Sequence, residues 1–183
     1  MEIKDMKLLS PAQIEAAAVI LSTELGIGWP TVEDARQELN DRLFVEDGNV
    51  FLAAIEGDEI MGFVGGLPVY GGNVWELHPL VVSRKYQKRG LGAVLMAAIE
   101  DAARDAGGLT MWLGADDESE PTKTSLGCVD LYDDTPAHIA GFEPGTHQTG
   151  FYLRMGYTIT GVMPDANGIG KPDIFMAKRL FYR

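Results

Sequence analysis

A basic glycine turn between an apolar strand and an amphipathic helix restricts the fold of this chain more than any other feature. The strand is predicted over Val74–Val82, and the turn Gln-Lys-Arg-Gly-Leu-Gly follows at 87–92. From Leu91 onward, apolar residues recur at helical spacing as far as Gly107-Gly108, a pair that suits a helix end. A second apolar strand follows over 109–117. This order of elements predicts two parallel strands joined by a right-handed crossover.

The elements on either side predict a single α/β domain over 1–183, with a mixed sheet flanked by helices. Ser10–Gln13 has the residues of a helical capping box, and apolar spacing predicts a second helix over 31–43. Residues 49–67 predict a β-hairpin with its turn at Glu56–Glu59. The later predicted elements are a short helix over 151–155 and strands over 158–163 and 173–180, whereas 128–144 has no decisive pattern.

The composition restricts the class of partner. The chain has 27 acidic and 15 basic side chains and a formal charge of −12. This excess argues against nucleic-acid binding and would attract a cationic substrate. No apolar run is long enough for a bilayer, and the first residues lack the order of a signal peptide, so we expect no membrane association. The single Cys128 excludes an internal disulfide, which fits a cytoplasmic location, and the histidines show no metal-ligand spacing.

The basic turn suggests a phosphate site. Free backbone N–H groups and the helix dipole favour an oxyanion at a helix start, and glycines allow a ligand to approach the backbone closely. The alternative is an ordinary turn with solvated cations, and the residues alone leave both interpretations open. The turn has neither the Walker pattern nor the dinucleotide pattern of glycines. The cations concerned are Arg84, Lys85, Lys88 and Arg89.

The turn resembles the signature of the GNAT family of acetyl-CoA-dependent N-acetyltransferases, Gln/Arg-x-x-Gly-x-Gly/Ala, which Gln87, Gly90 and Gly92 match. The resemblance implies a GNAT fold, a mixed and mostly antiparallel sheet with a central splayed pair of parallel strands. It also implies acetyl-CoA as co-substrate, with its pyrophosphate on the backbone amides of about 88–93. The residues so assigned to acetyl-CoA are Leu80, Val81, Val82, Gln87, Lys88, Arg89, Gly90, Leu91, Gly92, Ala93 and Tyr152.

Polar residues in the strand before the turn are candidates for catalysis. Strand alternation predicts one face formed by Glu76, His78, Leu80 and Val82. Pro79 suits a bulge or an edge, and in GNAT proteins this strand bulges and splays from its parallel neighbour. Attack of an amine on a thioester needs a proton acceptor and an N–H donor for the oxyanion. We assign these roles to Glu76 and the Leu80 amide, with His78 as a further catalytic candidate.

An acid for the departing thiolate is predicted near the C-terminus. Phe-Tyr-Leu-Arg-Met-Gly-Tyr at 151–157 is similar to a GNAT helix whose tyrosine approaches the coenzyme sulfur. The resemblance assigns this role to Tyr152, whereas Tyr157 is expected to pack in the core. Considered alone, Tyr152 and His78 each also suit a structural role.

Three longer strings resemble the small, chromosomal-type subgroup of aminoglycoside 6′-N-acetyltransferases. They are VWELHPLVV at 74–82, LGADD at 113–117 and PDANGIGKPDIFMAK at 164–178. The resemblance implies acetyl transfer to the 6′-amine of aminoglycosides, antibiotic resistance and a homodimer. Two alternatives stay open: a GNAT enzyme for another cationic amine (a polyamine, an amino sugar or a protein amine), and a non-catalytic acyl-CoA-binding module.

Aminoglycosides are polycations, and carboxylates are expected in their binding sites. Asp116 and Asp117 follow the end of a strand, where open α/β sheets tend to bind ligands. Residues 118–150 have only scattered similarity to the subgroup, which leaves the preferred drug undefined. The residues predicted to bind the acceptor are Trp29, Tyr70, Glu76, Asp116 and Asp117.

Overall fold

In the computed structural model, which describes residues 1–181, four antiparallel strands and three helices belong to the first of two structural units. This unit comprises Met1–Met111 with Leu180 and Phe181, and the second comprises Trp112–Arg179. The strand order of the first unit is β1-β2-β3-β4. The element bounds are β1 Glu2–Asp5, α1 Pro11–Glu24, α2 Val32–Asn40, β2 Val50–Glu56, β3 Glu59–Val69, β4 Val74–Val82 and α3 Leu91–Asp105.

Capping boxes fix the starts of α1 and α2. The Ser10 hydroxyl accepts the Gln13 N–H at 3.3 Å, and the Gln13 side chain accepts the Ser10 N–H at 3.0 Å. Thr31 and Asp34 form the same reciprocal pair at 3.1 Å each. These bonds satisfy backbone donors that have no partner inside the helix. The capping box at Ser10 is confirmed, and the predicted second helix ends at Asn40 before a π-helical turn over Asp41–Val45.

The sheet of the first unit has helices on both faces. Phe51 and Phe63 are fully buried in an apolar cluster with residues of α1 and α2. On the opposite face Gly66 packs against α3, because a Cβ at Gly66 would lie 3.0 Å from the Ile99 side chain. The absent side chain of Gly66 therefore lets α3 approach the sheet closely.

A β-bulge interrupts the pairing of β3 with β4. Val64 lies opposite Leu80 and Gly66 lies opposite Leu77, so Gly65 alone faces two residues, His78 and Pro79. A Cβ at Gly65 would lie 2.2 Å from the His78 carbonyl oxygen, which leaves room only for glycine. The predicted position of Pro79 at a bulge is therefore confirmed.

The bulge also changes which side chains of β4 share a face. Glu76 lies opposite Leu67, which belongs to the apolar cluster against α1 and α2. Leu80 lies opposite Val64, three residues from Leu67 along β3 and therefore on the α3 face. The predicted common face is wrong for Leu80 and Val82, because the extra residue in the bulge shifts the alternation by one.

The strand β5, Thr110–Asp116, starts in the first unit and continues into the second. The N–H groups of Leu109 and Thr110 both donate to the Asn73 carbonyl, at 2.8 and 3.2 Å. Because Asn73 directly precedes β4, the two strands begin at the same point, as a parallel connection requires.

The second unit contains two further strands and two short helices among the described residues. β6 is antiparallel to β7, which lies between β6 and β5 in the sheet order. The helix α4 falls in the stretch where the sequence has no decisive pattern, and β1 has only four residues, so neither was predicted. The bounds are α4 Thr135–Ala140, α5 Thr149–Arg154, β6 Thr158–Met163 and β7 Asp173–Arg179.

Candidate active site

Consecutive backbone donors without partners lie at the start of α3. Gly90 caps this helix with a φ of +84° and no side-chain hydrogen bond. In the part of the chain that the structure describes, the N–H groups of 88–92 donate to no other group, whereas the Ala93 N–H donates to the Gly90 carbonyl at 3.0 Å. A Cβ at Gly90 would meet no atom within 4 Å, so the space beside the turn is open. The turn therefore fits an oxyanion such as a pyrophosphate, with Ala93 less available than predicted.

The cations of this turn differ in their availability. Lys85 forms an ion pair with Glu59 at 2.7 Å, and this hydrogen bond raises the pKa of Lys85 to about 12. Lys88 has no ion pair within residues 1–181, and the Arg89 guanidinium lies 5.9 Å from the centre of the Tyr86 ring. Lys88 and Arg89 are therefore the cations best placed to meet a phosphate.

The Gln87 side chain anchors the turn to its neighbours. Its Nε2 donates to the Val82 carbonyl at 2.8 Å and lies 3.3 Å from a carboxylate oxygen of Glu24 on α1. Glu24 also accepts the backbone N–H of Arg84 at 2.8 Å. Gln87 thus connects the end of β4 to α1. The carbonyl of Val82, a residue that the sequence assigns to acetyl-CoA, is already an acceptor in this arrangement.

Glu76 is the carboxylate of β4. It is half-buried on the α1/α2 face, and its side chain forms no hydrogen bond or ion pair with any residue that the structure describes. An ionised carboxylate of this kind keeps both oxygens available as acceptors. Glu76 can therefore take a proton without breaking an existing interaction.

His78 lies on the same strand in a small cluster. Its Nε2 is 3.3 Å from the Glu38 carboxylate of α2, and its ring contacts the Trp29 ring edge-on with 5.5 Å between the centroids. Arg42 donates to the same Glu38 oxygen at 2.8 Å. The structure thus brings the predicted residues Trp29 and His78 together. Tyr70, predicted to contact the acceptor, lies in the turn before β4 with 80% of its surface exposed.

Tyr152 on α5 is buried among aromatic rings. Only 8% of its surface is exposed, and its ring contacts Phe151 and Tyr157 at centroid distances of 5.2 and 5.9 Å. Burial raises the pKa of the Tyr152 phenol, so the group carries its proton at neutral pH. Tyr157 is also buried, which confirms that it packs in the core.

Asp116 and Asp117 have different surroundings at the end of β5. Asp117 is 0% exposed, and its carboxylate accepts the backbone N–H groups of Lys123 and Thr124 at 2.7–3.0 Å. Burial raises the pKa of Asp117, but these hydrogen bonds outweigh it and hold the pKa below its ordinary value. Asp116 is exposed and accepts the Asn167 amide at 2.6 Å. This geometry supports Asp116 as an acceptor-binding residue and gives Asp117 the task of anchoring a loop.

Several residues of these clusters are not predicted by the sequence. Glu38 and Arg42 are four apart on a predicted helix, a spacing that indicates an ion pair but says nothing about His78. His147 is buried, and its Nε2 lies 3.0 Å from the Asp116 carbonyl oxygen, so it fixes the end of β5. No local pattern marks such contacts, because their partners are distant in sequence. The other missed residues are Glu24 and Asn167.

Neither a metal centre nor a membrane span is found in residues 1–181. No three His, Cys, Asp or Glu side chains among them are placed to share an ion. None of their helices has the length and apolar character needed to cross a bilayer.

The chain matches the acetyltransferase (GNAT) family over residues 14–125, and it belongs to this family. This membership confirms the predicted family and the predicted mixed α/β fold of GNAT type. The enzyme is thus an acetyltransferase with acetyl-CoA as its co-substrate, for which the open turn before α3 is suited.

Solved structures similar to this chain include aminoglycoside-modifying enzymes. A crystal structure of an aminoglycoside 6′-N-acetyltransferase complexed with coenzyme A is 34% identical, with a TM-score of 0.90 over 100% of this chain and 99% of that one. The aminoglycoside 6′-N-acetyltransferase from Enterococcus faecium has the same identity and coverage with a TM-score of 0.89. An aminoglycoside 6′-acetyltransferase type Ii is 29% identical, with a TM-score of 0.77 over 100% and 99%. No curated protein sequence matches the chain.

Proposed function

We propose that this acetyltransferase acetylates the 6′-amine of aminoglycosides and thereby confers resistance to them. The observation that carries the proposal is the similarity over the whole chain to two solved structures of aminoglycoside 6′-N-acetyltransferases at 34% identity. The formal charge of −12 supports a polycationic acceptor, because it attracts cations over a distance.

In the proposed reaction Glu76 takes the proton that the acceptor ammonium must lose before it attacks. The free carboxylate on the half-buried face of β4 supports this role. A carboxylate acting directly or through one water has the geometry that general-base catalysis needs. Acetyl-CoA supplies the acetyl group as a thioester.

Two further groups complete the proposed mechanism. The Leu80 N–H follows the bulge in β4, and we assign it to the oxyanion, for which one such donor contributes roughly 3–4 kcal/mol. This role uses the backbone, so the position of the Leu80 side chain on the α3 face does not affect it. The buried Tyr152 phenol keeps its proton and is assigned to the departing thiolate.

The proposed binding residues follow from the same contacts. The amides of 88–92, with Lys88 and Arg89, bind the pyrophosphate, and the strand residues Leu80, Val81 and Val82 lie along the pantetheine arm. Trp29, Tyr70 and Asp116 contact the acceptor. We also propose a homodimer in the cytoplasm. Light scattering of the purified protein measures the oligomeric state, and a monomer over the working concentration range would exclude the dimer.

The test is release of coenzyme A thiol from acetyl-CoA with a panel of amines. The panel contains kanamycin, the 6′-hydroxyl aminoglycoside paromomycin, spermidine and a basic peptide. Fast turnover of kanamycin without turnover of paromomycin is the expected result. Turnover of only spermidine or the peptide would retain the acetyltransferase and overturn the antibiotic acceptor. Tight acetyl-CoA binding without thiol release would favour a non-catalytic module.

A further inference from the structure

A carboxylate outside the predicted site, Glu38, contacts a residue inside it. Glu38 Oε1 lies 3.3 Å from His78 Nε2, and both side chains are partly buried, with 21% and 33% of their surfaces exposed. His78 is on the same face of β4 as Glu76, two residues further along the strand. The contact therefore reaches the half-buried face on which the proposed base lies.

The fold holds Glu38 in a fixed position. It lies on α2, whose start is set by the Thr31 capping box and whose residues Ala35 and Leu39 are fully buried. Arg36 joins the same helix to Glu15 of α1 through two hydrogen bonds of 2.7 and 2.8 Å. A side chain on a helix anchored in this way is held in its position more precisely than a side chain on a loop.

A second contact keeps Glu38 ionised. Arg42 Nε donates to the same oxygen at 2.8 Å, and Arg42 also donates to Glu46 at 2.7 Å, which in turn accepts the Asn49 amide at 3.0 Å. The hydrogen bond from His78, followed by that from Arg42, outweighs burial and lowers the pKa of Glu38 to about 2. An ionised carboxylate can only accept hydrogen bonds, so the proton of this contact resides on His78 Nε2.

The other nitrogen of the ring is then an acceptor in the neutral imidazole. His78 Nδ1 has no hydrogen-bond partner among residues 1–181. The Trp29 ring packs against the imidazole and opposes its rotation. In its neutral form the ring therefore presents a lone pair at Nδ1 in one orientation.

We propose that Glu38 is a positioning residue that holds His78 as the Nε2–H tautomer, so that His78 Nδ1 accepts a hydrogen bond from the acceptor amine. This inference rests on the proposed function. An ammonium group has three N–H donors, so Glu76 and His78 can both accept from the same group. Glu76 removes the proton, and His78 orients the nitrogen during attack.

The tautomer is tested directly by NMR of the folded protein, with no substrate present. The carbon and nitrogen shifts of the His78 ring distinguish the Nε2–H form from the Nδ1–H form, and a His78→Ala variant assigns them among the three histidines. The wild type should show the Nε2–H form alone, and Glu38→Leu should show a mixture. An unchanged tautomer in a folded Glu38→Leu variant would overturn the proposal.

The kinetic test is a double-mutant cycle at Glu38 and His78 with the best amine of the panel. Glu38→Gln should lower kcat/KM about tenfold in the wild type, an effect of the size that the loss of one hydrogen bond to a charged group produces. In the His78→Ala background the same change should have no further effect, because Glu38 acts through His78. An equal loss in both backgrounds would reduce Glu38 to a structural residue.

The matched control is Glu33→Gln on the same helix, whose side chain is 75% exposed and paired with Arg36. It should leave both kcat/KM and the His78 tautomer unchanged. If no aminoglycoside is acetylated, the proposed function is wrong. The NMR measurement of the tautomer and the double-mutant cycle with another amine then still test the role of Glu38. If no amine is acetylated, the NMR measurement of the tautomer alone tests the role of Glu38.

Discussion

The carboxylates of this protein differ in whether they have hydrogen-bond or ion-pair partners in the folded state. Asp117 is buried and accepts backbone N–H groups, and Glu38 is shared between His78 and Arg42. Glu76 has no such partner within residues 1–181. A carboxylate that stabilises the fold by its charge loses that stabilisation when it is protonated, whereas Glu76 loses none. This difference supports the proposed role of Glu76 as the base.

Replacement of Glu76 by Gln should remove the proposed base while keeping the shape of the side chain. We expect kcat to fall about a hundredfold at pH 7 with an unchanged melting temperature, the size that general-base catalysis commonly contributes. The loss should shrink as the pH rises, because the free amine then loses its proton without help. Steady-state kinetics between pH 6 and 9 measure this. Equal loss at every pH would contradict the role of Glu76 as the base.

The phenol of Tyr152 has a separate prediction. Since burial raises its pKa, Tyr152 stays protonated through pH 6–9 and adds no descending limb to the pH profile there. Tyr152→Phe should lower kcat about tenfold, near the lower end of acid catalysis because a thiolate leaves readily. The KM for acetyl-CoA should change little. Tyr157→Phe, a buried tyrosine of the same cluster, serves as the control and should keep kcat unchanged.

At the scale of the element, the bulge in β4 determines what the strand can do. One extra residue places Glu76 and Leu80 side chains on opposite faces of the sheet. The strand can therefore present Glu76 and His78 on the α1/α2 face and still bury the Val81 side chain in the core. Gly65 permits this geometry, since the backbone of His78 occupies the position of a side chain.

Gly65→Ala should destabilise the protein by about 1–3 kcal/mol, because the new methyl group would meet the His78 carbonyl oxygen and the Phe51 ring. Denaturant unfolding measures the free-energy difference. Gly161→Ala in β6 is the matched control. Its Cβ would lie 3.5 Å from the Phe175 ring, an ordinary contact, so its unfolding free energy should stay near that of the wild type. Equal unfolding free energies of the two variants would contradict the prediction and show that the backbone near the bulge can shift to accommodate the methyl group.

Local sequence patterns predict the helices and strands better than they predict the contacts between them. The bounds of β4 and the capping box at Ser10 follow from nearby residues, and the structure confirms both. The bulge was foreseen through Pro79, but its effect on the alternation was not, because that effect depends on the pairing with Gly65. The contact of Glu38 with His78 joins residues forty positions apart, and no local spacing encodes it.

The stability of the whole molecule depends on pH, because folding lowers the pKa of Glu38. Glu38 has a pKa of about 2 in the folded protein, below its ordinary value of 4.5. As the pH falls, the unfolded chain takes up this proton first, so the stabilisation is complete above about pH 4.5 and is lost toward pH 2. The difference between the two values corresponds to roughly 3 kcal/mol.

Glu38→Gln should therefore be less stable than the wild type at pH 7, by up to about 3 kcal/mol. The gap should narrow as the pH falls below 4.5. Denaturant unfolding of both proteins from pH 7 to 3.5 measures the gap. Glu33→Gln should differ from the wild type by less than about 1 kcal/mol throughout, as exposed ion pairs do. A gap for Glu38→Gln that is independent of pH would contradict the assigned pKa.

The buried carboxylate of Asp117 affects which parts of this protein can change in sequence during evolution. By binding the backbone N–H groups of Lys123 and Thr124, it fixes the start of the segment that follows β5 largely through main-chain groups, which every residue type provides. Mutations can therefore accumulate beyond this anchor and leave Asp116 where it is, provided that its partners His147 and Asn167 are kept. A descendant of this chain can acquire a new acceptor preference through drift in one region while its acetyl-transfer residues are inherited unchanged.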